Sequence, residues 1–213
     1  MRHLHRILVI VAHPDDAEAH AGGTIAKLVH DGKAVAYVVV TNGDKGSADR
    51  AMTAERLALV RQDEQRRAAR TLGVEHVEFL GYPDCEVGDS RRLRCDLTRA
   101  IRRFRPDAVI VQNPFRTYDL GASHRDHRVA AGVALDCIDL ARNRTAFPEL
   151  LPEYAPHEVR EVFVMQSEAP TVFVDISTTV SLKAKALACH VSQVGSDGRR
   201  VEASVRERAA NSR

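Results

Sequence analysis

Short, uninterrupted apolar runs alternate with longer stretches of helical period, and this alternation constrains the fold more than any other feature of the chain. Ile7, Leu8, Val9, Ile10 and Val11 form a run with no polar residue on either side of a pleat, as do the β-branched residues around 35–40. Such runs read as strands buried on both faces. Further strands are expected at 76–80 and 108–112, and in the less regular tail at 158–165 and 172–176. Helices are expected at 24–30 (stopped near Gly32), at 54–72 with Gly73 closing the end, at 93–104 before Pro106, from an N-capping Ser123 to about 142, and at 181–189. Residues 43–51 read as a polar loop.

Strand–helix alternation with doubly buried strands predicts a parallel sheet with helices packed on each side. The expected fold class is α/β: a Rossmann-like three-layer sandwich, mainly parallel sheet with helices on both faces. No repeat, low-complexity stretch or linker divides it, so 1–213 reads as a single domain. In the common doubly wound order the first strand lies beside the fourth, and ligands bind outside the carboxyl ends of that pair. Chemistry is therefore expected just after Ala12 and just after Gln112.

Composition removes several function classes. The 31 Lys+Arg against 29 Asp+Glu give a formal charge of +2, too balanced for nucleic-acid binding to be the default. The local excess at Arg91, Arg92, Arg94, Arg99, Arg102, Arg103 and Arg105 reads as the solvated face of a helix. Cys85, Cys95, Cys137 and Cys189 are scattered singles, which suggests reduced thiols and a cytoplasmic setting. The first apolar stretch, 7–12, is too short for a signal sequence or a membrane span, so membrane insertion is not expected.

Polar residues fall where the topology asks for them. His13-Pro14-Asp15-Asp16-Ala17-Glu18 follows the first strand, and Ser123-His124-Arg125-Asp126-His127 follows the fourth. Carboxylates and imidazoles at the end of a buried strand are costly to desolvate unless paired, and a divalent metal would pair them. Neither G-x-G-x-x-G nor a P-loop is present. Imidazole and carboxylate donors suit zinc, although ferrous iron accepts the same set. Three of these groups would bind metal, leaving one carboxylate free as a general base and one imidazole free to act on an oxyanion. That division of labour suits hydrolysis of an unactivated amide.

These motifs, with Gly22-Gly23-Thr24, Thr41-Asn42-Gly43, Arg61-x-x-Glu64, Gly81-Tyr82-Pro83-Asp84, Arg105-Pro106-Asp107, His124-x-Asp126-His127 and His190-x-Ser192-Gln193, resemble the PIG-L/LmbE-like zinc-dependent N-deacetylases in order along nearly the whole chain. The resemblance implies that His13, Asp16 and His127 hold zinc and that Asp15 is the general base. It implies that a protonated His124 stabilises the oxyanion with Asp126 behind it, and that Arg61, Asp84 and Asn42 lie on the substrate side. The implied partner is a small-molecule amino-sugar conjugate, with self-association into a homo-oligomer also open. Alternatives are an amidase removing a larger acyl group and a non-catalytic sugar-binding relative. One departure stands in the second motif, where Arg125 replaces the family's usual proline. Its guanidinium is expected either on an anionic substrate group or in solvent.

Overall fold

The computed structural model describes residues 3–115 and 124–211. Strands β1 (Arg6–Val11), β2 (Ala34–Thr41), β3 (His76–Tyr82), β4 (Ala108–Gln112) and β5 (Glu161–Met165) form one sheet in the order β3-β2-β1-β4-β5. Every pairing is parallel. Parallel neighbours require crossovers, and α1 (Asp16–His30), α2 (Ala54–Thr71), α3 (Arg91–Phe104) and α4 (Arg125–Arg142) supply them. Helices α5 (Val180–Leu187), α6 (Val191–Val194) and α7 (Gly198–Asn211) complete the chain.

The period-2 alternation of β1 separates the two cores. Ile7, Val9 and Val11 pack with Tyr37, Ala17, Ile25 and Ala186 on one face, while Leu8 and Ile10 pack with Leu93, Leu97, Ile101 and Ala134 on the other. Helices α1 and α5 thus cover the first face, α3 and α4 the second. The expected three-layer α/β sandwich is what the chain forms. Capping fixes several helix starts: Thr53 accepts from the Arg56 N–H at α2, and Ser90 from the Leu93 N–H at α3. No helix among the described residues is long and apolar enough to cross a membrane.

Several expectations need correction. Helix α1 begins at Asp16, not at residue 24. Gly22 and Gly23 look like breakers, yet they sit inside the helix where the C-terminal segment presses closest. A Cβ on Gly23 would lie 2.8 Å from Ile176 Cδ1 and 2.9 Å from its Cβ. Residues 172–176 are not a strand: they leave the sheet and bring Ile176 onto α1. Helix α7, unanticipated, buries Val201 and Val205 against Val180 and Ala184 of α5. The cap of α4 is His124; Ser123 lies outside the described residues.

The arginine-rich face also differs from expectation at one position. Arg102 is 1% exposed. Its guanidinium donates to the carbonyls of Leu140, Ala141, Asn143 and Ala146, closing the carboxyl end of α4.

Candidate metal centre and hydrolytic site

The registers place Ile10 opposite Val111, so the ends of β1 and β4 are level. The buried Gln112 side chain ties them, accepting from the Ala12 N–H at 3.2 Å. The chain then turns abruptly through His13 and Pro14. Asp16 Oδ2 accepts from the His13 N–H at 2.7 Å, and α1 starts there with Asp16 in its positive first turn.

Helix α4 brings His127 across to this turn. His13 Nδ1 lies 3.1 Å from His127 Nε2, His127 Nε2 lies 3.2 Å from Asp16 Oδ1, and His13 Nδ1 lies 3.5 Å from Asp16 Oδ2. A tetrahedral zinc ion with bonds of about 2.0–2.1 Å separates neighbouring ligand atoms by about 3.3 Å. The donor triangle therefore has the size such an ion needs. The charge balance agrees: although burial disfavours a charged ring, the carboxylates of Asp126, Asp16 and Asp84 push His13 up to about 12. Against burial, His127 and His13 hold Asp16 well below the usual carboxylate range. The cluster is a set of anions arranged to receive a cation.

A second group, His13, Asp84, His124 and Asp126, surrounds the far side of the same ring. His13 Nε2 lies 3.0 Å from Asp84 Oδ1 and 3.5 Å from Asp126 Oδ2. Asp84 is thus buried behind His13, a position not anticipated for a sugar contact. Asp126 is fully buried. Its Oδ2 accepts from the Cys85 N–H at 2.7 Å, so its carboxylate turns to His13 and this turn.

Asp15 stands at the N-cap of α1 with φ 103° and ψ −24°, a left-handed conformation costly for a side chain other than glycine. Burial and the neighbouring Asp16 carboxylate raise its pKa to about 6, against the opposing pull of Arg61, His190 and His13. A carboxylate tuned upward beside a cation site is suited to accepting and returning a proton near neutrality. His124 caps α4 with its ring: Nδ1 accepts the Asp126 N–H at 3.2 Å.

The remaining expected residues have definite places. Arg61, 4% exposed, donates to the carbonyls of Gly43 and Pro14 and, at 3.3 Å, to Asp15 Oδ2. Asn42 follows β2 and donates to the Gly81 carbonyl at 3.2 Å. Arg125 is exposed to solvent, one of the two expected placements, and its guanidinium also donates to the Val87 carbonyl. Three residues that motif reading did not assign also enter. His20, one turn along α1, has Nε2 3.8 Å from Asp16 Oδ1. Fully buried Glu18 and Gln65 lie behind Asp15. The i,i+4 spacing of Asp16 and His20 was a usable signal for the first; nothing local pairs Glu18 with Gln65.

Fold and site together define a doubly wound α/β protein carrying, at its topological switch point, a His/Asp cluster that could hold a metal ion, with a tuned carboxylate beside it. The chain belongs to the PIG-L family: residues 8–138 match that family, described as GlcNAc-PI de-N-acetylase. It is 33% identical over 196 residues to a diacetylchitobiose deacetylase of Thermococcus kodakarensis, covering 90% of this chain and 71% of that protein. The N,N'-diacetylchitobiose deacetylase structure from Pyrococcus horikoshii superposes with a TM-score of 0.91 at 32% identity, over 99% of this chain and 79% of that one. A 1D-myo-inositol 2-acetamido-2-deoxy-alpha-D-glucopyranoside deacetylase of Streptomyces scabiei is 30% identical over 171 residues, which cover 68% of this chain and 52% of that protein.

Proposed function

We propose that this chain is one deacetylase domain, 1–213, that hydrolyses the N-acetyl amide of an N-acetylglucosamine-type sugar conjugate, releasing acetate and the free amine. The observation that carries the reading is the donor triangle of His13, Asp16 and His127 with the raised carboxylate of Asp15 beside it. His13, Asp16 and His127 would hold zinc, with ferrous iron accepted by the same donors. When bound, the ion would acidify a coordinated water and polarise the acyl carbonyl.

The chain's own groups supply the rest. Asp15 takes a proton from the attacking water as its oxygen joins the acyl carbon, then returns that proton to the nitrogen as the C–N bond breaks. Arg61 holds the Asp15 carboxylate in place, and the His124 ring would stabilise the oxygen on which negative charge develops. Asp84 and Asp126 fix the His13 ring from behind. Arg61 and Asn42 would lie on the sugar side of the substrate. The four cysteines, unpaired among the described residues, support a cytoplasmic setting.

Amine release from N,N'-diacetylchitobiose and from N-acetylglucosaminyl inositol, before and after chelation and with metal analysis of the same sample, tests the reading. Chelator-sensitive release with about one metal per chain is expected. Bound metal with release only from substrates bearing larger acyl groups would move the assignment to an amidase. Bound metal with no release from any amide would leave a non-catalytic sugar binder, and sizing the same sample reports self-association.

A further inference from the structure

Behind Asp15 runs a line of polar side chains that takes no part in the chemistry just described. The Asp15 N–H donates to Gln65 Oε1 at 2.9 Å. Gln65 Nε2 in turn lies 3.0 and 3.1 Å from the two oxygens of Glu18, and Glu18 Oε2 lies 3.2 Å from His190 Nε2. Gln65, Glu18 and His190 are each 0% exposed. They come from α2, from α1 and from the cap of α6, with 172 positions between Glu18 and His190.

We infer that His190, Glu18 and Gln65 are positioning residues that hold the Asp15 peptide in its left-handed conformation, and so hold its carboxylate between Arg61 and the metal-ligand triangle. The inference rests on the reading of Asp15 as the base. A carboxylate facing an imidazole in a fully dehydrated interior is a poor way to gain stability, because well-packed apolar residues of similar volume do as well or better. What the line provides is direction. Gln65 has both ends of its amide committed, one to the Asp15 peptide and one to Glu18, so it cannot rotate without breaking both. A side chain in the left-handed region stays there only when its surroundings over-determine it, and Gln65 on the peptide N–H with Arg61 on the Pro14 carbonyl do so from two sides. Once the peptide is released, the shortest adjustment moves the Asp15 carboxylate, and displacements of about 1 Å at a reacting group cost on the order of a hundredfold in rate.

The experiment uses the full, metal-loaded chain with N,N'-diacetylchitobiose as substrate, reading kcat, KM, metal per chain and Tm. Gln65→Met keeps the volume and removes both bonds. It is expected to lower kcat by about 10- to 100-fold, with KM within a few-fold of wild type and metal retained. The exchanged pair Glu18→Gln/Gln65→Glu restores an acceptor for the Asp15 N–H and a donor between positions 18 and 65. It is expected to recover most of the lost kcat, and it decides the matter should Gln65→Met not fold. Ser192→Ala breaks a neighbouring tie, where the Ser192 hydroxyl donates to Glu64 Oε2 at 2.6 Å. It should lower Tm without lowering kcat. A folded, loaded Gln65→Met enzyme with wild-type kcat, or an exchanged pair that folds without recovering rate, overturns the inference. Asp15→Asn in the same series separates the two readings: wild-type turnover there would remove the base itself, whatever Gln65 does.

Discussion

Asp84 Oδ1 lies 3.0 Å from His13 Nε2, the ring nitrogen opposite the one that meets Asp16 and His127. A carboxylate in this position fixes which nitrogen of the ring is free to bind metal and increases its basicity. Asp84→Asn is therefore expected to weaken metal binding by about 10- to 100-fold. Competition against a chromophoric chelator measures this directly. A raised KM with unchanged metal affinity would instead return Asp84 to the sugar.

The adjacent carboxylates Asp15 and Asp16 differ in what surrounds them, and their variants should differ in kind. Asp16 meets His127 and the His13 N–H, whereas Asp15 meets Arg61. Asp15→Asn should keep metal and lose about 10²–10⁴ in turnover, the usual worth of general acid–base catalysis. Asp16→Asn and His127→Ala should lose metal. Elemental analysis beside steady-state rates checks both, and metal loss confined to Asp15→Asn would exchange the two assignments.

Much of this arrangement is legible in the residues, for a physical reason. Doubly buried strands force a parallel sheet, the parallel sheet creates a switch point, and His13–Asp16 and His124–His127 follow the two strands that flank it. What escapes reading is contact at long sequence separation. Nothing near Gly22 and Gly23 announces that Lys183 packs on the first and Ile176 on the second, so the start of α1 is hidden behind residues that resemble a stop. Nothing near Glu18 announces His190. Arg102 is hidden among exposed arginines, because only the docking of α4 shows which one faces inward.

Arg102 closes the end of α4 from inside the protein. Its replacement by Met would fill the space but leave the Ala146 carbonyl without its donor and those of Leu140, Ala141 and Asn143 with only their backbone N–H partners. With about 1–3 kcal/mol for the carbonyl left unsatisfied, about 0.5–1.5 kcal/mol for each further bond lost, and partial relaxation, a loss of about 3 kcal/mol is expected. That corresponds to a fall in Tm of roughly 6–12 °C for a chain of this size. Thermal unfolding followed by circular dichroism measures it, and the metal content of the folded fraction should not change.

Gly23 offers a cleaner case of steric need. Alanine in a helix interior normally gains about 1 kcal/mol over glycine. Here the added methyl would meet Ile176 below 3.0 Å, at Cβ as well as along the side chain, so that part cannot swing away. Gly23→Ala is expected to destabilise by about 1–3 kcal/mol. Ile176→Gly in the same chain, which removes Cβ with the rest of the side chain, should relieve most of this, giving a strongly non-additive cycle in denaturant unfolding. Additive effects would mean the helix and the segment do not press together in solution.

Asp107 ties the first strand to the fourth from the end opposite the site. Its Oδ2 accepts the His5 N–H at 2.8 Å and the Arg6 N–H at 3.0 Å, and these bonds, with the His5 N–H foremost, lower its pKa against a small cost of burial. A depressed folded-state pKa means that the unfolded chain takes up its proton first. The stabilisation is therefore complete above the unfolded value of about 3.9 and is lost as the pH falls through the lower folded value. Asp107→Asn should thus be less stable than wild type by a constant margin from pH 7 to about pH 5. That margin should shrink below about pH 4, as the wild-type carboxylate protonates and comes to resemble the amide. Paired Tm measurements across this range check the sign, and a margin that widens on acidification would show that Asp107 is not the acceptor of these two N–H groups.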